Sequence, residues 1–421
     1  MPSTAETDDY HVPTIVGSLI AGVFIGGLGG GVAFPTLPTL GAVLGISPLL
    51  VGVILSANRI TRTVMNTPAG QIIDRMGTRR PMVLGFGLQG AAPFGYVLGL
   101  HPEWVPLLGA AELFVAARMV WGFGSAFVFV GSFSTVVHVT SEANRGQWIG
   151  YFRGAQSIGF PTGLVAGGLL TDLYSYDVAF ATAGTLGLVA TGVAAAVLPD
   201  LRPSVETTTS LRALPGLIRR EPRIALVGVV NFTVRFLFAG VLLSTIVLYA
   251  TTYDIGIGEF SAVGASGLIM ALSVLFSGGT TLISGRLSDA VGNRVFITLP
   301  ALATFAFGFV ALGLVPTLPV TLIGVACIGI GVGGTSPPLL AYLGDISPEG
   351  DVGKVGGVYN VFGDLGSSAG PLVALPFAVR FGFRAEYLAC AGLVALTFLL
   401  VVGTLLRDQT ARGRVSKRAG D

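Results

Sequence analysis

Six ionisable side chains stand out among those inside long apolar runs, where no water is at hand to receive them. Arg59 and Arg62 interrupt a run near 48–73, and Glu112 and Arg118 one near 104–139. Arg235 interrupts one near 224–252, and Asp364 one near 354–379. A charge inside such a run is costly and marks a binding or coupling site by default. Arg59 and Arg62 are three residues apart, hence on one helix face. Four guanidinium groups against two carboxylates would make a shared cavity positive and favour an anionic substrate. If Arg59 or Arg62 pairs with Asp364 or Glu112, the pair only orients helices. Arginine does not release a proton usefully, so proton chemistry must run through Asp364 or Glu112. Asp364 is the deeper of the two and lies in a glycine-rich run. Asn58, Gln156, Asn231 and Asn360, with Gln89 and Tyr359, either complete a substrate site or serve as interhelical hydrogen-bond donors and acceptors.

These residues need a scaffold, and the composition names its solvent. Of 421 residues, 52% are hydrophobic and 11% charged, against roughly 25% charged in soluble chains. Twelve apolar runs long enough to cross a bilayer are read near 14–40, 48–73, 81–100, 104–139, 147–170, 178–198, 224–252, 261–288, 295–314, 319–346, 354–379 and 384–406. The expected fold is an all-α membrane protein, with a six-helix bundle over 14–198 and another over 224–406. A tail over 1–13, a proline-containing linker over 199–223 and a tail over 407–421 complete the chain. The short acidic N-terminus has no basic region typical of a signal peptide, so the first run is expected to remain a span. With both termini inside, 18 Lys and Arg fall on inner segments, and only Arg380 and Arg384 on outer ones. This asymmetry predicts a multi-pass protein of the cell membrane with cytoplasmic termini.

The halves are related by a repeat. Gly70, Asp74, Gly77 and Arg79 match Gly285, Asp289, Gly292 and Arg294 at a constant offset of 215 residues. In the fifth span of each half, Gly146, Gly150, Gly159 and Gly163 match Gly353, Gly357, Gly366 and Gly370 at 207. In the loop Gly70–Arg80, Gly77 supplies a tight turn. Asp74 lies at a helix C-terminus, where the dipole disfavours an anion. It needs Arg75, Arg79 or the N-terminus of a helix from the other half. Such a contact would act as a cytoplasmic gate; the simpler reading is a topology anchor with a turn.

The loop resembles the signature between spans two and three of the major facilitator superfamily, with Asp74, Arg75, Gly77 and the basic pair Arg79 and Arg80 on its positions. Thr78 stands where a basic residue is often found. The six-plus-six layout extends the resemblance over the whole chain. It implies two bundles rocking about a central site, with this loop in the cytoplasmic latch. Arg118, Gly122 and Gly124 resemble the family's R-x-x-x-G-x-G signature, in which the arginine is linked to proton transfer. By its chemistry alone, Arg118 serves equally as a structural ion pair or a donor to backbone carbonyls. Gly154, Gly159, Pro161, Gly163 and Gly167 resemble the span-five signature of drug:proton antiporters, although Phe160 splits its Gly-Pro pair. The residues themselves read as a kinked helix suited to close packing. The glycines and prolines of span one, Gly29–Pro38, suggest a bend for gating or a helix thinned for packing.

A net charge of +2 gives no case for nucleic acid. Cys327 and Cys390 and the three histidines are too scattered for a metal site. No phosphate-binding G-x-x-x-x-G-K-[ST] run occurs. The expectation is therefore a monomeric carrier of a small molecule, not an enzyme, with no cofactor and a proton gradient as its energy source. The function expected is a proton-coupled efflux antiporter. An organic-anion or phosphorylated-metabolite carrier is the first alternative, and a transport-inactive sensor on the same scaffold the second.

Overall fold

In the computed structural model, residues 11–141, 143–201, 219, 221–290, 294–347 and 352–418 are described, with side chains through 403 apart from those of 295 and 352–354. The first six helices are α1 (Val12–Val43), α2 (Pro48–Met76), α3 (Arg79–Leu100), α4 (Ala110–Val139), α5 (Arg145–Leu173) and α6 (Tyr176–Val197). The second six are α7 (Pro222–Thr252), α8 (Ala262–Ala290), α9 (Val295–Leu314), α10 (Leu318–Asp345), α11 (Val352–Phe381) and α12 (Phe383–Arg418). All twelve expected spans are present as helices. The last runs on into the region read from sequence as a tail.

Local chemistry sets the helix ends. Ser47 and Ser175 accept from the backbone N–H groups of Leu50 and Val178 and cap α2 and α6. Pro48 and Pro222 occupy first turns, where no N–H is required. Gly77 and Gly382, both at φ +83°, end α2 and separate α11 from α12. Among the described residues, nine helices are long and apolar enough to cross a membrane by length and composition. The other three, α2, α5 and α11, carry Arg59 and Arg62, Arg153, and Asp364 respectively.

The chain forms two compact units, and their division cuts through helices α7, α8 and α11. The first holds residues 1–208, 241–271 and 368–376; the second holds 209–240, 272–367 and 377–421. In the first unit, α1 lies against α5 with little side-chain padding. A Cβ on Gly163 would strike the Leu28 carbonyl, and one on Gly167 would come 2.6 Å from the Cα of Val32. The glycines of span one thus provide close packing, since Gly31 meets the α5 backbone at Phe160 and Leu164. A core of Val32, Leu37, Leu40, Ile54, Leu55, Tyr96, Phe114 and Phe180 joins α1, α2, α3, α4 and α6, with Leu375 of α11.

In the second unit, α9 and α10 approach at Gly308, where a Cβ would lie 2.5 Å from the Gly324 carbonyl oxygen. Phe309 of α9 packs on Tyr387 of α12 with ring centres 6.0 Å apart. Helix α7 changes type along its length. It is α-helical over Pro222–Arg235, π-helical over Phe236–Leu242, and α-helical again over Leu243–Thr252. Such π segments recur at functional positions because they break the regular ladder and redirect side chains. Here the π segment follows immediately after Arg235.

Candidate functional site

In the first unit the polar site is built on α2. Arg118 of α4 is completely buried, a position that demands compensation. Its Nε donates to the Ile54 carbonyl at 3.3 Å. One terminal nitrogen donates to the Leu55 carbonyl and to Asn58 Oδ1, both at 3.3 Å. Its other terminal nitrogen finds no hydrogen-bond partner among the described residues, and the Tyr96 hydroxyl lies beside the guanidinium. The helices come this close because Gly122, one turn along α4, abuts the Asn58 backbone. Of the readings open to Arg118, the carbonyl donor is the one found; it fastens α4 to α2. Gly124 packs similarly on α3, where a Cβ would lie 2.5 Å from the Gly85 carbonyl oxygen.

Arg59 is half-buried, with its guanidinium over the Phe34 ring of α1 at 5.5 Å, a cation–π placement. Arg62, also half-buried, lies nearly one turn further along α2. Gln156 of α5 is half-buried. Gln89 is buried, and its Oε1 has no hydrogen bond among the described residues. Gly159, Gly163 and Gly167 meet α1, and Pro161 is buried between them. Gly154 departs from the packing reading, because a side chain there would meet nothing within 4 Å.

In the second unit, α7 and α11 bring together Asn231, Arg235, Tyr359 and the Gly363–Asp364 step. The Asn231 amide donates to the Tyr359 carbonyl at 2.7 Å. Tyr359 in turn donates from its hydroxyl to the Ser336 carbonyl at 3.4 Å. A Cβ on Gly363 would lie 2.8 Å from Asn231 Nδ2 and 3.4 Å from Arg235 Cγ, so only a glycine lets α7 approach there. Arg235 and Asp364 are half-buried, and Asn360 is exposed. Asn231 is therefore an interhelical hydrogen-bond donor, and it helps set the position of α11 beside Arg235.

Glu112 requires a correction. It is exposed in the first turn of α4, its carboxylate close to Gly109. Pro102–Trp104 forms a short 3₁₀ turn and α4 begins at Ala110 rather than near 104. The acid thus occupies the favourable end of a helix dipole, not the interior of a span. The sequence reading also passed over Glu386. This residue is 3% exposed in the first turn of α12, and neither carboxylate oxygen has a hydrogen bond among the described residues. Its signal was an acid inside the run read at 384–406.

The charged loop at the end of α2 is folded around Thr78, which is 1% exposed. The Thr78 N–H donates to the Leu201 carbonyl at 2.8 Å, and the Leu201 N–H donates to the Thr78 hydroxyl at 3.2 Å. The same hydroxyl donates to the Pro199 carbonyl at 3.4 Å. The expected turn at Gly77 is present, and a Cβ there would run into the Asp200 carboxylate. Arg79 donates to the Ala195 carbonyl at 2.7 Å. Gly70 is buried, and Asp74, Arg75 and Arg80 are exposed. In the second copy Arg294 pairs with Asp289 at 2.9 Å and with Asp345 of α10 at 2.8 Å. Gly285 has only an ordinary contact with Pro337, and Gly292 lies outside the described residues.

Twelve long helices among the described residues, a charged loop used twice and polar residues held among apolar helices are the architecture of a multi-pass membrane protein. The family model of the Major Facilitator Superfamily matches residues 19–371 and 260–420. The chain belongs to that superfamily. It is 26% identical over 394 residues to an MFS-type transporter of Methanocaldococcus jannaschii, covering 90% of this chain and 93% of the relative. It is 23% identical to multidrug resistance protein 2 of Bacillus subtilis, covering 85% and 87%. Its fold is similar to that of a bacterial homolog of the human lysosomal transporter Spinster, crystallised in an inward-facing, occupied conformation. That match has a TM-score of 0.76 at 12% identity and covers 92% of this chain and 95% of the other.

Proposed function

We propose that this transporter is a proton-coupled efflux antiporter of the cell membrane. It moves a small solute by alternating access, as a monomer with both termini cytoplasmic. The similarity to a multidrug resistance protein supports efflux, and the asymmetry of Lys and Arg supports the orientation. The observation that carries proton coupling is the setting of Asp364: half-buried in α11, next to the glycine where Asn231 and Arg235 of α7 approach. A carboxylate inside a span changes its interactions greatly when it gains a proton. Binding a proton there neutralises the acid where α7 approaches α11 and changes what the site attracts. Arg118, for its part, fastens α4 to α2 through Ile54, Leu55 and Asn58.

The experiment is flux in proteoliposomes under an imposed pH gradient, using organic cations and drugs as candidate solutes. Solute movement driven by the gradient, with proton movement in the opposite direction, supports the reading. Flux indifferent to the gradient contradicts the coupling. No flux of any compound would instead favour the transport-inactive sensor.

A second reading rests on the arginines. Arg59, Arg62 and Arg235 are all half-buried, and Arg59 is stacked on Phe34. These would suit an organic anion or a phosphorylated metabolite. On that reading R59A, R62A and R235A each raise KM for an anion; transport of cations alone, indifferent to all three changes, excludes it.

A further inference from the structure

Asp172 lies in the last turn of α5, where that helix's own dipole disfavours an anion. Its compensation comes from the start of α8. The Ser261 N–H donates to Asp172 Oδ2 at 3.0 Å, and the Ser261 hydroxyl donates to Asp172 Oδ1. Ser261 Oγ also accepts from the Val263 N–H at 3.3 Å, inside the first turn of α8. The carboxylate therefore sits at the positive end of α8, with both oxygens engaged. A tight turn aims Ser261: Ile257 and Phe260 exchange two backbone hydrogen bonds, at 3.3 and 3.1 Å, around Gly258 at φ +62°.

Behind this contact the helices touch almost backbone to backbone. A Cβ on Gly168 would lie 3.0 Å from the Val263 carbonyl oxygen, and one on Gly264 would lie 2.8 Å from Asp172 Oδ2. A Cβ on Gly267 would strike the Leu164 carbonyl. Such a seam has few interlocked side chains, so it can part cleanly once its polar fastening is released. Helix α5 belongs to the first sequence repeat and α8 to the second. Counting spans from the N-terminus, the contact lies at the membrane face opposite the termini. A second contact between the repeats joins α2 to α11, where the Ser56 hydroxyl donates to the Ser368 carbonyl at 2.6 Å.

We propose that the Asp172–Ser261 contact is the latch of the gate on the face opposite the termini. It holds that face shut and must break each time the face opens. The proposal rests on the alternating-access reading, because a gate acts only where two halves part.

The test labels a cysteine at Ser56, which is fully buried, in a background with C327A and C390A. An impermeant maleimide is applied from the side opposite the termini, and labelling rate is measured without substrate. S261D keeps a good cap for α8 but sets two carboxylates against each other. We expect it to speed labelling about tenfold, the factor one charge-assisted hydrogen bond is worth. D172A acts in the same direction, and the swapped pair D172S/S261D returns the rate towards the parent's. Unchanged labelling in folded S261D, or in folded D172A should S261D not fold, overturns the latch. So does equal labelling of S261D and the swapped pair. Flux is measured separately: faster labelling in a protein that transports nothing would sustain the latch and sink the transporter mechanism.

Discussion

In the first copy of the charged loop, Arg79 donates to a backbone carbonyl at the end of α6, and Thr78 is stitched to the chain at Leu201. In the second copy, Arg294 lies between two carboxylates, Asp289 and Asp345. Equivalent arginines thus enter different chemistry, and their surroundings explain it. Helix α10 ends in Asp345, within reach of Arg294, whereas α4 ends in His138 and Val139. After α6 the chain turns back under its loop as Leu198–Leu201, within reach of Thr78. At Thr78 and Arg79 the first copy is therefore stapled to backbone groups at the end of α6 and the head of the linker, whereas at Arg294 the second is an ionic clamp. The sequence repeat carries the arginine into both copies; what each arginine grips is decided by the residues beside it.

The difference can be broken at either copy. The largest effect is expected for Gly77→Val. Its backbone conformation is nearly exclusive to glycine, and a Cβ would collide with Asp200. Strain of about 1–3 kcal/mol, with the collision added, should lower the melting temperature in detergent clearly. Next comes Thr78, where Thr78→Val leaves the Leu201 N–H without its acceptor, at about 1–3 kcal/mol. Thr78→Arg, which supplies the more familiar basic residue, should cost more than Thr78→Val, because the site is buried. A stable Thr78→Arg protein would contradict the staple.

Arg294→Gln is expected to cost only about 0.5–1 kcal/mol, since the clamp is partly exposed and screened by solvent. Its effect should fade as salt rises, whereas that of Arg79→Gln should not. Measuring both variants from low to high salt separates clamp from staple. The smallest effect is a pH-dependent control on the other face. His101 lies between Asp177, at 3.0 Å, and Glu103, at 3.3 Å. Hydrogen bonding to Asp177 raises its pKa above the ordinary value, with desolvation opposing it. Its stabilising contribution is therefore complete below the unfolded histidine pKa and is lost as pH rises through the folded one. His101→Gln should remove this slope.

The helices were legible because their apolar runs are long and their ends carry proline, serine or glycine. Interior charges were legible by type but not by role. Arg118 had to be compensated, yet nothing in R-M-V-W-G says that the acceptors are carbonyls of α2. Glu112 was misplaced because an apolar run does not show where a 3₁₀ turn delays the helix. Thr78 looked like a departure from a pattern, whereas its burial against Leu201 depends on a contact more than 120 residues away. Asp172 was overlooked although it obeys the logic applied to Asp74, an acid on the wrong end of its own helix.

Coupling through Asp364 is most directly tested by comparing two modes of transport in one variant. Asp364→Asn, reconstituted beside the parent protein, should lose solute accumulation driven by a pH gradient and keep exchange of labelled for unlabelled solute. Accumulation at the parent's rate, responding equally to the gradient, would contradict the account.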